Sequence, residues 1–256
     1  MKISLIQMNV CEDKRENLAR ALELAGRAMG ADLVMLPEMF CCPYESSSFV
    51  RNAEPFGEAV TDALRETALK TGAIVVGGSF PELENGNIYN TCAVFGRSGE
   101  LLARHRKAHL FDIDVKGGQR FFESDTLTAG DGATVIETEL GRLGVAVCFD
   151  IRFSTFINSM RADILAVPAA FNMTTGPLHW ELLFRARAVD NQLFAFGCAP
   201  ARNTAASYVS YANSIAVDPW GRVIARAGTD ETVLNFEIEK EEIRRAREQI
   251  PILMKN

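Results

Sequence analysis

The sequence predicts an α/β fold built on large mixed sheets. Short apolar runs alternate with amphipathic stretches at helical spacing through residues 1–80. Several of these runs lack polar alternation, so they read as strands buried on both faces. Beyond residue 90 the strands come instead in pairs across tight turns, the pattern of antiparallel ribbons.

Residues 3–8 open the chain as a strand. Residues 13–29 carry Leu18, Ala21, Leu22 and Ala25 at helical spacing, and residues 32–36 (DLVML) form a buried strand. Residues 58–71 are again helical, with Gly72 as the C-terminal cap. Residues 73–80 (AIVVGGSF) read as a third buried strand. This β-α-β-α-β order implies parallel strands joined by crossover helices. Residues 90–95 and 101–105 then flank the turn at Gly96-Arg97-Ser98-Gly99, and residues 134–138 and 143–147 flank Gly141. A strand at 164–168, a helix at 177–191 and a strand at 193–198 follow. Residues 211–217 and 223–227 pair across Asp218-Pro219-Trp220-Gly221, 233–238 is the last strand, and 240–249 a charged helix. With no Pro/Gly/Ser-rich linker, composition break or solenoid-period repeat, one domain over 1–256 is expected.

Composition narrows the class. The 256 residues carry 27 Lys+Arg against 33 Asp+Glu, a net charge of −6, which argues against a nucleic-acid surface. No apolar run reaches the roughly 18 residues of a membrane span. The N-terminus meets acidic residues too early for a secretory signal, so a cytoplasmic protein is expected. Six cysteines at 11, 41, 42, 92, 148 and 198 form no CxxC pair. They fit buried free thiols in a reducing compartment.

Two apolar strands end abruptly in reactive residues. DLVMLP runs into Glu38, a carboxylate placed for a raised pKa and general-base work. LGVAV runs into Cys148, a candidate nucleophile before the polar segment FDIRF; ligands gather at such strand ends in open α/β sheets. Lys107 follows a hairpin strand in His105-Arg106-Lys107-Ala108-His109; taken alone, this segment reads as a solvated basic turn. A metal held by His105 and His109 is disfavoured for want of further ligands nearby, and no metal is expected. No GxSxG elbow occurs, and Gly77-Gly78 lacks the lysine and spacing of a phosphate loop.

LPEMF around Glu38, HRKAHLFD around Lys107 and GVAVCFDIRF around Cys148 resemble the three catalytic motifs of the nitrilase superfamily of carbon-nitrogen hydrolases. Their order matches, with 69 residues from Glu38 to Lys107 and 41 from there to Cys148. AFNMTTGPLHWELLFRARAVDNQ at 170–192, APAR at 199–202, SYVSYANS, DPWG, HLFDIDV and FFESDTLTAGD are similar to the ω-amidase, or Nit2-like, branch. Three positions depart from the pattern. His105 and Phe149 stand where the family often has Tyr, and Phe40-Cys41-Cys42 follows Glu38-Met39.

The resemblance implies an α-β-β-α sandwich, usually dimerised, that hydrolyses a small amide through a cysteine thioester without a cofactor. Glu38 would be the base, Cys148 the nucleophile, and Lys107 with the backbone N–H of Phe149 the oxyanion donors. Glu123 would hold Lys107 or the substrate. Loss of the Lys107 charge is expected to lower turnover far more than stability, its main partner existing only in the transition state. The ω-amidase branch implies α-ketoglutaramate or α-ketosuccinamate as substrate, whose far carboxylate needs a cation. Arg152 and Arg202 are the candidates, with Thr174, Thr175, Phe171 and His179 as further pocket residues. Another amidase of the superfamily and a non-catalytic scaffold are the competing readings. A glutaminase module is disfavoured because no second domain follows. The apolar stretches 151–160 and 207–217 fit a dimer interface or the core equally.

Overall fold

A computed structural model of the chain describes residues 1–252. The first half runs β1 (Lys2–Gln7), α1 (Lys14–Ala25), β2 (Leu33–Met35), α2 (Ser46–Asn52), α3 (Ala59–Thr71), β3 (Ile74–Val76), β4 (Phe80–Glu84), β5 (Asn87–Phe95), β6 (Leu101–Arg106), β7 (Asp112–Asp114) and β8 (Arg120–Phe122). The second runs β9 (Thr134–Thr138), β10 (Gly141–Val145), α4 (Ser154–Met160), β11 (Ile164–Pro168), α5 (Gly176–Asn191), β12 (Phe194–Cys198), β13 (Ile215–Val217), β14 (Val223–Arg226), β15 (Thr232–Glu237) and α6 (Glu241–Gln249).

β1, β2 and β3 lie side by side and parallel, as the β-α-β-α-β reading requires. β15 closes one edge antiparallel to β1. At the other edge β5 divides its length: Val94 and Phe95 pair with β3, while residues 87–91 pair with β4, and β6 runs along its far side. These strands make one seven-stranded sheet; β14-β13-β12-β11-β10-β9 make a second, six-stranded one. Caps fix the helices locally. The Asp13 carboxylate accepts the N–H groups of Arg15 and Glu16 at the start of α1, and Gly72 (φ 65°) ends α3 in the left-handed conformation.

The burial pattern explains why the strands lack alternation. Leu33 and Met35 of β2 join Leu143, Val145 and Ile164 of the second sheet in one core cluster. Val34 and Leu36 face the other way, onto Leu18, Ala21, Leu64 and Ala68 of α1 and α3. Each buried Leu or Val contributes about 1.5–3 kcal/mol. The outer face of the second sheet is covered by Trp180, Phe184 and Ala188 of α5 and by Ile157 and Met160 of α4. The layers are therefore α-β-β-α. Most of the apolar residues in 151–160 and 207–217 are interior, including Ile151, Ile157, Met160, Ala212 and Ile215.

Two predicted strands differ. The run 73–80 is not one strand: it stops at Val76, turns through Gly77-Gly78-Ser79, and Phe80 begins β4. Gly78 has φ +58°, and a Cβ there would lie 2.2 Å from Pro37 O, so the chain turns where only glycine fits. The strand expected at 211–217 begins only at Ile215, because Ala212 (φ 59°) and Asn213 (φ 61°) break the extended backbone. The short helices α2 and α4 and the β7–β8 ribbon have too few residues to show a period. Among the described residues, no helix is long and apolar enough to cross a membrane.

Candidate active site

Glu38 and Cys148 end strands of different sheets rather than neighbouring strands of one. Glu38 follows β2 in the seven-stranded sheet and Cys148 follows β10 in the six-stranded sheet, so the two side chains meet across the interface. Lys107 is the first residue after β6 and Glu123 the first after β8. All four are buried, and Lys107 and Glu123 fully so.

Their hydrogen bonds form one closed cluster. Lys107 Nζ donates to Glu38 Oε1 at 2.9 Å and lies 2.8 Å from Glu123 Oε2. Asn90 Nδ2 donates to Glu38 Oε1 at 2.9 Å and to Glu123 Oε1 at 3.3 Å. The Tyr44 hydroxyl donates to Glu123 Oε1 at 2.7 Å, and Phe111 N–H to Glu123 Oε2 at 2.6 Å. Ala170 N–H, from beyond β11, reaches Glu38 Oε2 at 2.8 Å. The Cys148 thiol lies beside the Glu38 carboxylate and the Ala170 backbone. Cys148 has φ 47° and Met39, just after Glu38, φ 50°. Non-glycine residues held there carry strain of about 1–3 kcal/mol each.

Two carboxylates facing one ammonium decide the electrostatics. Burial pushes the Glu38 carboxyl up, and Glu123 adds to this, while Lys107 opposes both. Burial acts to lower the Lys107 pKa, but Glu123 and Glu38 outweigh it and hold the ammonium above its ordinary range. Burial, then Glu38, push the Cys148 thiol well above its ordinary value. The resting site is therefore a neutral thiol next to a basic carboxylate, beside a permanent cation. This corrects the expectation about Lys107. Its partners are present in the ground state, so its removal disturbs folding as well as turnover.

The predicted pocket residues separate into two groups. Arg152 lies with its guanidinium carbon 5.4 Å from the Phe149 ring centre and 5.0 Å from that of Phe171, and Nη1 is 3.1 Å from His179 Nδ1. Among the described residues it pairs with no carboxylate, and its Nε is buried without a partner. Burial lowers its pKa and the nearby Cys148 counters this. Phe171 packs edge-on against Trp180. The second group is not gathered here. Arg202 Nη2 donates to Tyr211 O at 2.7 Å. Thr175 N–H and Oγ1 donate to Asn172 Oδ1, and the Thr174 methyl packs on Gly118. They shape the turns around α5. A cavity of about 490 Å³ leads from Glu38, Tyr44, Ala170 and Tyr208 to Cys42 and Asn203.

Tyr44, Asn90 and Tyr208 escaped the sequence reading. Tyr44 stacks on Tyr208 with ring centres 4.5 Å apart, and the Tyr208 hydroxyl donates to Ala170 O. Only the placing of Tyr44 six residues after Glu38 hinted at it. Asn90 was read merely as the first residue of a hairpin strand.

The profile of the family described as carbon-nitrogen hydrolase matches residues 2–248. The chain belongs to the carbon-nitrogen hydrolase family. Within that family it is 48% identical to omega-amidase NIT2 of Xenopus tropicalis, over 98% of this chain and 93% of the relative. It is 44% identical to omega-amidase NIT2 of Homo sapiens at the same coverage. The crystal structure of Saccharomyces cerevisiae Nit3, a member of branch 10 of the nitrilase superfamily, superposes with a TM-score of 0.91 at 39% identity, over 98% of this chain and 94% of that one. The α-β-β-α layering is thus the nitrilase fold.

Proposed function

We propose that the protein is an amidohydrolase, one domain over 1–256, that cleaves the terminal carboxamide of α-ketoglutaramate and α-ketosuccinamate to the dicarboxylate and ammonia. One observation supports it above the rest. The Cys148 turn brings together a base (Glu38) held by Lys107 and, four residues on, the Arg152 guanidinium, which among the described residues is paired with no carboxylate. The first set suits amide chemistry, and the second suits the far carboxylate of a keto acid. The similarity to omega-amidases at 44–48% identity points the same way.

The steps follow from the protonation states. Glu38 takes the thiol proton as sulfur bonds to the amide carbon, because a free thiolate beside two carboxylates is disfavoured. Negative charge passes to the amide oxygen, which Lys107 Nζ and the Phe149 N–H stabilise. That N–H lies in the first turn of the short helix Cys148–Arg152, where amides have no intrahelical acceptor. Each such donor is worth about 3–4 kcal/mol. Glu38 then protonates the nitrogen, the C–N bond breaks, and ammonia departs from a thioester. Glu38 next removes a proton from water as its oxygen attacks the thioester carbon. The C–S bond breaks and the proton returns to sulfur.

Glu123, tied to Lys107, Tyr44 and Asn90, keeps the ammonium in place. Phe171 and His179 hold Arg152. The partner is thus a small amide, and no cofactor enters the steps. A homodimer fits the outer face of α5, and the six free thiols fit a reducing compartment. The test measures ammonia release from both keto-acid amides, with glutamine, N-carbamoyl-β-alanine and aliphatic amides alongside and Cys148→Ala as blank. Release from the keto-acid amides alone, absent in the blank, is expected. Release only from another amide would overturn the substrate assignment. No release from any would leave a scaffold.

A further inference from the structure

His105 and His109 flank Lys107, and Asp150 follows Cys148 by two residues; none takes part in the steps above. Yet the three are bound together. Asp150 Oδ1 accepts the His109 N–H at 2.9 Å and lies 2.8 Å from His109 Nδ1. Oδ2 accepts the Val147 N–H at 3.0 Å and lies 3.2 Å from His105 Nε2. His105 Nδ1 is in turn 3.0 Å from Thr134 Oγ1, and His109 stacks on Phe153 with ring centres 3.6 Å apart. The carboxylate is fully buried, and every contact falls on a residue within two of Lys107 or just before Cys148.

This placement matters because of the split site. Glu38, Lys107 and Glu123 bond to one another from the seven-stranded sheet and its loops, whereas Cys148 comes from the six-stranded sheet. Among the described residues, the hydrogen bonds between the Lys107 segment and the Cys148 turn all run through the Asp150 carboxylate. We propose that Asp150 is a positioning residue that sets Lys107 against Cys148, with His105 and His109 as the two arms that hold it. Burial works against the Asp150 charge, but hydrogen bonds from His105 and His109 prevail and hold its pKa down at about 2. The tie is therefore anionic throughout the working range. His105 places a second imidazole on the same carboxylate.

The inference rests on Lys107 and Cys148 being the reacting groups, so two readouts are needed. In turnover, Asp150→Asn should lower kcat at least a hundredfold with KM within threefold, since bound substrate touches neither Asp150 nor its arms. His109→Phe keeps the stack on Phe153 but loses the ring donor; His105→Gln keeps a donor. The first should lose about tenfold and the second less than threefold. The double variant Asp150→Asn/His109→Phe should be no slower than Asp150→Asn alone, because both act through one tie. In the second readout, iodoacetamide labelling of Cys148, followed by peptide mass spectrometry, should slow at least fivefold in Asp150→Asn. A folded Asp150→Asn with kcat within threefold of the parent, or additive losses in the double variant, would overturn the proposal. Should Asp150→Asn not fold, unchanged kcat in His109→Phe would overturn it. A parent that hydrolyses no amide would defeat the functional reading alone, and the labelling rates would still decide the tie.

Discussion

Two carboxylates, Glu38 and Glu123, face the single ammonium of Lys107, all three side chains buried. Glu38 has a folded pKa above its unfolded one, so its ionisation works against folding. Stability from the protonated form is complete below the unfolded pKa and is lost as pH rises through the folded one. Glu38→Gln should therefore abolish turnover and yet raise Tm at pH 8 by a few degrees, about 1 kcal/mol being 2–4 °C for 150–250 residues. The gain should shrink as pH falls below the ordinary glutamate range; thermal scans at pH 4 and pH 8 check this. In the parent, the acid limb of kcat/KM should lie above that range, since the base must be ionised. Lys107→Met has the opposite sign on stability. It strands two buried carboxylates, so a loss of about 3–5 kcal/mol is expected by denaturant titration, together with loss of turnover. Glu38, Lys107 and Cys148 were legible because each ends or follows a strand within a distinctive motif. Tyr44 and Asn90 were not, because a hydroxyl and an amide in ordinary surroundings carry no sign of what faces them after folding.

At the scale of the elements, the backbone beneath Glu38 is the most exacting part of the fold. Gly78 supports Pro37 so closely that Gly78→Ala must push the preceding loop or strain its own φ of +58°. A loss of about 1–3 kcal/mol is expected. Because Pro37 adjoins Glu38, kcat should fall by more than the fraction unfolded; comparing active-site titration with kcat separates the two. The parallel β1-β2-β3 unit and the paired strands after it were readable, since doubly buried strands and turn residues leave strong local patterns. The break at Gly77-Gly78 was hidden inside an apolar run. It is set by the approach of another loop, which no window of neighbouring residues records. The seven-residue helices α2 and α4 span too few turns to show a face.

For the whole molecule, the outer side of α5 is the feature that asks for a partner. Leu178 and Leu182 are 73% and 63% exposed, and Val189 continues their row on the same helix. This row is where the proposed homodimer would close. Leu182→Glu should turn the proposed dimer into a monomer in sedimentation velocity with the circular dichroism unchanged; a protomer mass in the parent would refute the dimer. The two-sheet origin of the site has a consequence of its own. The thiol acquires its base only when the sheets have closed on one another, and neither half of the chain carries a working centre. Hydrolysis is thus a built-in reporter of native docking. A swollen, molten globule-like form could keep its strands and far-UV signal and still hydrolyse nothing.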